Sequence, residues 1–264
     1  MRRNVLRELL NQGKPTLGTH VLIPWPGMAE VVGLSGAFDY IEYVGEYSTF
    51  TTEQLENFGR AIDLFPNMSS MMKVEEQTRG FIAQRAIGHG IQNILFTDIR
   101  NAQDVRNCIK LILPETPELQ GTHGASMRRN VGYVQYSGGP EWVKAMNDTV
   151  IAFMIEKKTA MDDLDEIMSV PHVDMLQFGP NDYSVSVGRP GQSGSAETQR
   201  VQRDMIEKAM KKGIPSRVEI GSADLAKPFI EMGVKHFCVG WDLRVVYDWC
   251  KAQGPAMRKL MGQA

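Results

Sequence analysis

Glu156 and Asp182 are placed where a pair of carboxylates can hold a hard cation. The stretch 151–188 reads as strand, helix, strand. An apolar run at 151–155 stops at Glu156. Leu164, Ile167 and Met168 then recur at helical spacing, and a second apolar run at 175–178 is followed at once by Gly179-Pro180-Asn181-Asp182. A strand–helix–strand unit makes its two strands parallel, so both carboxyl ends lie on one edge of the sheet. The two acids are 26 positions apart (182 − 156) and yet come side by side. Converging carboxylates repel unless positive charge lies between them. Mg²⁺ is commonly held by one or two carboxylates plus water and substrate oxygens. The same acids also suit two separate helix starts, where the helix dipole favours negative side chains.

The elements that position this pair repeat along the whole chain. Apolar runs predict strands at 16–23, 38–44, 69–74, 91–96, 151–155, 175–178, 214–220 and 236–239. Helical patterns lie between them, at 28–34, from Thr51 onward, and at 81–87, 102–113, 161–168, 200–211 and 225–232. Thr51 followed three residues later by Gln54 has the form of a capping box. An amphipathic helix carrying Val5, Leu6, Leu9 and Leu10 precedes the first strand. A last helix from Leu243 is expected to break at Gly254-Pro255. The segment 114–140 is irregular and long for a connection, and such loops are usually functional or mobile. Eight alternating units predict an α/β chain folded as one (β/α)₈ TIM barrel over 1–264, with an N-terminal helix and a C-terminal helical extension. An open doubly wound sheet is the alternative, but no G-x-G-x-x-G follows the first strand. In a barrel the chemistry sits at the carboxyl ends of the strands. The candidates there are His20, Glu46, Tyr47, Lys73, His123, Glu156, Asp182, Glu219 and Asp242.

Composition narrows the function classes. The net charge is −2 over 264 residues and no long basic run occurs, which argues against nucleic acid as the main partner. No apolar stretch approaches the ~20 residues that span a bilayer, and the N-terminus lacks the apolar centre of a signal peptide. Cys108, Cys238 and Cys250 are scattered and odd in number, as expected for reduced thiols in a cytoplasmic protein.

The segments M-I-E-K-K-T-A-M-D-D-L-D-E-I and V-D-M-L-Q-F-G-P-N-D-Y-S-V-S-V-G resemble the HpcH/HpaI aldolase family. These are class II, metal-dependent 2-oxo-acid aldolases related to the citrate-lyase β-subunit group. The likeness extends from Gly18-to-Glu30 at the start to Gly240-to-Asp242 at the end. It implies a modified TIM barrel in a hexamer that exchanges C-terminal helices. It implies Mg²⁺, Mn²⁺ or Co²⁺ on Glu156 and Asp182, chelating the carboxylate and 2-oxo group of a pyruvate-like substrate and stabilising its enolate as a Lewis acid. Gly179, Pro180, Asn181 and Asp182 would cradle the substrate carboxylate with their backbone.

The chain departs from that pattern at the groups that move protons. Where the aldolases carry D-x-E-H-G after strand two, this chain reads Val44-Gly45-Glu46-Tyr47-Ser48, so Glu46 is kept and Tyr47 replaces the histidine. The partner aspartate of that histidine falls at about Gly88. Lys73 aligns with an arginine that polarises the oxo group, and His123 with the arginine of a G-x-R-G segment. Tyr47 is either an acid/base, with a phenol that Lys73 helps to ionise, or a hydrogen-bond donor. Lys73 either polarises the oxo group or pairs with Glu46. A Schiff-base role beside a metal is disfavoured. His123 is either the relocated base or a structural histidine, and His20 is a third candidate base. Trp25 and Phe178 either wall the distal part of the substrate or pack. The resemblance implies a carbon–carbon lyase acting on a 4-hydroxy-2-oxo acid. A metal-dependent hydrolase, decarboxylase or hydratase on a related oxo acid is the alternative, and a non-catalytic ligand-binding oligomer is the third reading.

Overall fold

Strands that are apolar on both faces need cover on both sides, and a closed parallel barrel ringed by helices supplies it. The computed structural model of the protein describes residues 2–263. Its elements are α1 (Val5–Asn11), β1 (Thr16–Val21), α2 (Pro26–Ser35), β2 (Tyr40–Val44), α3 (Thr52–Ile62), β3 (Ser69–Val74), α4 (Arg79–Gly88), β4 (Asn93–Phe96) and α5 (Ala102–Ile112). There follow α6 (Pro140–Asn147), β5 (Ile151–Ile155), α7 (Lys158–Asp162), α8 (Leu164–Ile167), β6 (Met175–Phe178), α9 (Pro180–Ser186), α10 (Ala196–Lys211), β7 (Ser216–Ile220), α11 (Lys227–Glu231), β8 (His236–Trp241) and α12 (Asp242–Leu260). The eight strands pair in chain order, all parallel, and close from β8 back onto β1. The expected α/β (β/α)₈ barrel is the observed fold.

Alternation along each strand divides the core in two. Outward residues such as Ile41, Tyr43, Met72, Phe153, Leu176 and Phe178 join the layer between strands and helices. Inward residues Tyr40, Met71, Leu95, Ala152, Met154 and Met175 form a smaller lumenal cluster. Leu6 of α1 is fully buried in that second cluster, so α1 stoppers the amino-terminal end of the barrel. Polar ties lock it there. Arg7 makes a two-pronged pair with Asp174 at 2.7 and 2.6 Å, and Ser69 Oγ accepts from the Leu6 amide at 3.1 Å.

Local signals account for most boundaries. The Thr51–Gln54 capping box is present in both directions, and α11 starts at Lys227 with Pro228 in its first turn, where the missing N–H costs nothing. The stretch 114–140 is irregular as expected, and an unexpected helix, α6, opens on Pro140 at its end and buries Trp142 and Met146. The expected break at Gly254-Pro255 does not occur, and α12 runs through Pro255 to Leu260. Proline Cδ clashes with the Cβ of the preceding residue in a helix. Gly254 has no Cβ, which removes that part of the penalty.

Candidate active site

The carboxyl ends of β5 and β6 do bring Glu156 and Asp182 to one side of the barrel mouth. Glu156 continues the inward face of β5 and is buried. One of its oxygens, Oε1, accepts the Asp98 amide at 2.8 Å. The other lies against Gly179, where a Cβ would stand 2.6 Å from Oε2, so the absence of a side chain at Gly179 lets the Glu156 carboxylate pack there. Burial pushes the Glu156 carboxyl up to about 7. The Asp98 amide and Lys73 pull it down, and Asp182 and Asp98 add to the rise. A cation against Glu156 would reverse that cost. Asp182 lies in the first turn of α9, half-exposed, with Lys157 Nζ 3.4 Å away. The same ammonium sits 2.6 Å from Asp98, so it bridges the two aspartates. Asp98 holds a left-handed backbone (φ 55°), a conformation that costs energy for a residue with a Cβ and concentrates at functional sites. A crowded group of oxygen donors around one desolvated carboxylate suits a hard divalent ion.

Beside this group stands a second one. Lys73, on the inward face of β3, pairs with Glu46 at 2.7 Å and donates to the Tyr47 hydroxyl at 3.2 Å. Burial works against the Lys73 ammonium, but Glu46 and Tyr47 outweigh it and raise its pKa, so a neutral Schiff-base amine is disfavoured here. Tyr47 is not a ready base either. The residue is 61% exposed, but desolvation of its hydroxyl moves the phenol up to about 12, against the pull of Lys73, so it stays a protonated donor. Lys73 does ease its ionisation, as expected, but the cost of desolvation is larger and Glu46 adds to it.

Two expected residues do not join this group. His123 lies in the connection after α5, which leads away from the mouth toward the start of β5. It is sealed against Trp142 (ring centroids 5.9 Å) and bridged to Pro114. Burial, with Arg128 adding, pushes it down to about 4, as for a neutral packed histidine. The ring of Phe178 points outward because Gln177 takes the inward position, and it packs on Tyr183 at 5.1 Å. Trp25 caps the start of α2 just past β1 with its ring 62% exposed. Asp242 is used up structurally, since it accepts the amides of Leu22, Ile23 and Leu243.

Asp98 and Lys157 were not among the expected residues, nor were Glu42, Gln177 and Arg217. For Asp98 the signal was an acid two residues past β4, the same cue that marks Glu156. For Glu42 and Arg217 it was a charge in the middle of a strand. Arg217 is fully buried, 2.6 Å from Glu42, and its Nε donates to Tyr40 Oη at 2.7 Å. Gly18 makes room for the Tyr40 ring, since a Cβ there would meet it at 2.2 Å.

A model of HpcH/HpaI aldolases and citrate lyases matches residues 53–248. The chain belongs to the HpcH/HpaI aldolase/citrate lyase family. As a member it is a lyase of the class II aldolase type, and the family is generally dependent on a divalent metal. The chain is 25% identical over 246 residues to 2-keto-3-deoxy-L-rhamnonate aldolase of Escherichia coli (strain K12), covering 93% of this chain and 90% of that one. Its fold is similar to an HpcH/HpaI aldolase/citrate lyase family protein of Burkholderia cenocepacia J2315, with a TM-score of 0.87, 19% identity and coverage of 98% and 100%. An HpcH/HpaI aldolase of Desulfitobacterium hafniense DCB-2 follows at 0.84, 21% identity and 97% coverage of both chains.

Proposed function

We propose that this HpcH/HpaI enzyme cleaves a 4-hydroxy-2-oxo acid into pyruvate, or a close analogue, and an aldehyde, using Mg²⁺, Mn²⁺ or Co²⁺ on Glu156 and Asp182. The observation that carries this reading is the buried Glu156 carboxyl, raised by desolvation and crowded by Asp182 and Asp98. A divalent ion there supplies Lewis-acid stabilisation of the enolate charge. The chain's own groups do the rest. The backbone at Gly179, Pro180, Asn181 and Asp182, where α9 begins beside Glu156, receives the substrate carboxylate. Lys73, fixed by Glu46, places a permanent positive charge beside the reacting end. The Tyr47 hydroxyl, protonated and held by Lys73, donates a hydrogen bond. Trp25, exposed beside the mouth, offers an apolar face to the distal part of the substrate.

We also infer a homo-oligomer, a hexamer by likeness to the family. Leu243, Val246, Tyr247, Trp249 and Leu260 leave α12 with exposures of 48–84%, an apolar surface that a second protomer would cover.

The test is condensation in reverse. Pyruvate, Mg²⁺ and a series of short 2-hydroxyaldehydes are incubated with the protein and the products separated by chromatography. The expected result is a 4-hydroxy-2-oxo acid that disappears with EDTA. Failure of every aldehyde under Mg²⁺, Mn²⁺ and Co²⁺ overturns the reading.

A further inference from the structure

Outside the carboxylates assigned to the metal, the mouth as described so far lacks a base. Tyr47 is protonated, His123 is sealed away, and the Lys73 ammonium is paired with Glu46. The other histidines lie elsewhere. His89 caps the end of α4, and His236 opens β8 beside Thr16, 3.0 Å from its hydroxyl. His172 lies between α8 and the start of β6.

His20 is different. It is the inward residue of β1 in register with Glu42 on β2 and Trp241 on β8. Its ring stacks on Trp241 (centroids 5.5 Å, planes 22° apart). Nδ1 points at Glu219 Oε2, 3.8 Å away, and at Cys238 Sγ, 3.7 Å away. Among the described residues Nε2 is neither hydrogen-bonded to the protein nor sealed off. A carboxylate behind one ring nitrogen, with the other free, is the arrangement that orients an imidazole and sets its tautomer. Such contacts are often long without substrate and tighten with it.

The lumen below fixes Glu219 in place, through the same Oε2 that faces His20. Arginine only donates, so Gln177 must turn its carbonyl oxygen to Arg217 and its amide nitrogen to Glu219, which accepts at 3.0 Å. Arg217 is itself committed to Glu42, Tyr40 and Gln177. Glu219 is therefore hydrogen-bonded without being neutralised by that arginine. Lys73 lies near enough to both Glu219 and Glu156 to lower both carboxyls, which ties this cluster to the metal-binding side of the mouth. His20, Glu42 and Glu219 also bring donor atoms within 4.8 Å of one another. The Arg217 charge against Glu42 disfavours a cation among them.

We propose that His20 carries the proton of the reaction and that Glu219 is its positioning residue. The proposal rests on the aldolase reading above. In cleavage, His20 Nε2 takes the proton of the substrate 4-hydroxyl. The O–H electron pair becomes the second bond of the aldehyde C=O, the C3–C4 bond breaks, and its pair moves into the enolate at C3–C2. His20 then returns the same proton to C3, giving pyruvate and restoring the neutral ring. The pocket therefore selects substrates with a hydroxyl at C4, the group that reaches Nε2.

Exchange of pyruvate methyl protons into D₂O under Mg²⁺, followed by proton NMR, isolates the C3 step without any aldehyde. His20→Ala is expected to slow exchange by about 100-fold and to regain about tenfold with added imidazole, with an unchanged affinity for Mg²⁺-oxalate as an enolate mimic. Glu219→Gln is expected to lower the rate about tenfold with the KM for pyruvate unchanged. His20→Asn, which keeps a polar group of similar size, covers a fold defect in the alanine variant and is expected to match its loss. Exchange within about threefold of wild type in both His20 variants, or loss without imidazole rescue while Mg²⁺-oxalate still binds, overturns the dyad alone. No Mg²⁺-dependent exchange in wild type overturns the aldolase reading and the dyad with it.

Discussion

The two ends of the barrel are both rich in charge, and they use it in opposite ways. At the amino-terminal end the charged side chains that tie α1 and the strand starts are paired within the protein, with one aspartate shared by two arginines. Arg7 pairs with Asp174, Arg2 and Arg129 with Asp63, and Lys144 with Asp148. The carboxyl-terminal mouth instead gathers Glu46, Asp98, Glu156, Asp182 and Glu219 around two ammonium groups, Lys73 and Lys157. Internal pairs hold a fold together, whereas an anionic surplus in a half-buried mouth is relieved by a proton, as at Glu156, or by a cation supplied from outside. The buried Arg217–Glu42 pair lies in the lumen between the ends and serves the mouth from below.

That contrast can be broken at several points. The largest effect is expected in the lumen. Arg217→Met leaves Glu42 buried without its partner and should cost about 3–5 kcal/mol in urea unfolding, much of which a Glu42→Leu second change restores. An unchanged midpoint would mean the pair is dispensable. At the closed end, Leu6→Ala removes the stopper from the lumenal cluster and should cost about 3 kcal/mol, while Mg²⁺-dependent chemistry at the mouth persists. Loss of chemistry at full stability would erase the distinction between the ends.

At the mouth the effects should be on binding. Glu156 in the metal-free protein holds its proton up to about pH 7, above the ordinary carboxyl value, so the folded state binds more protons than the unfolded one between the two. Stability of the metal-free protein should therefore fall as pH rises through that window. Mg²⁺ must displace the proton, so its affinity should rise about tenfold from pH 6 to pH 8 and then level off. Calorimetry checks this, and a flat profile would remove Glu156 from the site. The smallest effect belongs to Lys157, whose charge competes for Asp182. Lys157→Met should tighten Mg²⁺ about threefold, and weaker binding would show that Lys157 supports the ion instead.

The alternation of apolar runs and helical stripes was enough to read the barrel, because each strand and its period are local properties. Glu156 and Asp182 were legible for the same reason, since a parallel pair of strands carries its topology in the chain order. What stayed hidden depended on direction and partnership. His123 and His20 are equally plausible as letters, and only the path of the chain after α5 puts one at the wrong end. Phe178 faces outward because Gln177 faces inward, a phase that a four-residue run does not reveal. Tyr47 beside Lys73 suggested an easily ionised phenol, but desolvation outweighs the pull of Lys73. Gly254-Pro255 is a strong break signal, and α12 passes through it where the residue before proline has no Cβ.

The most direct test of the mouth as a cation-dependent site for enolate chemistry is the rate at which pyruvate methyl protons exchange into D₂O under Mg²⁺, with wild type beside Glu156→Gln. The account predicts exchange in wild type that vanishes with EDTA and falls at least about 1,000-fold in the variant. Equal exchange in the two proteins, or none in either at saturating Mg²⁺, would contradict it.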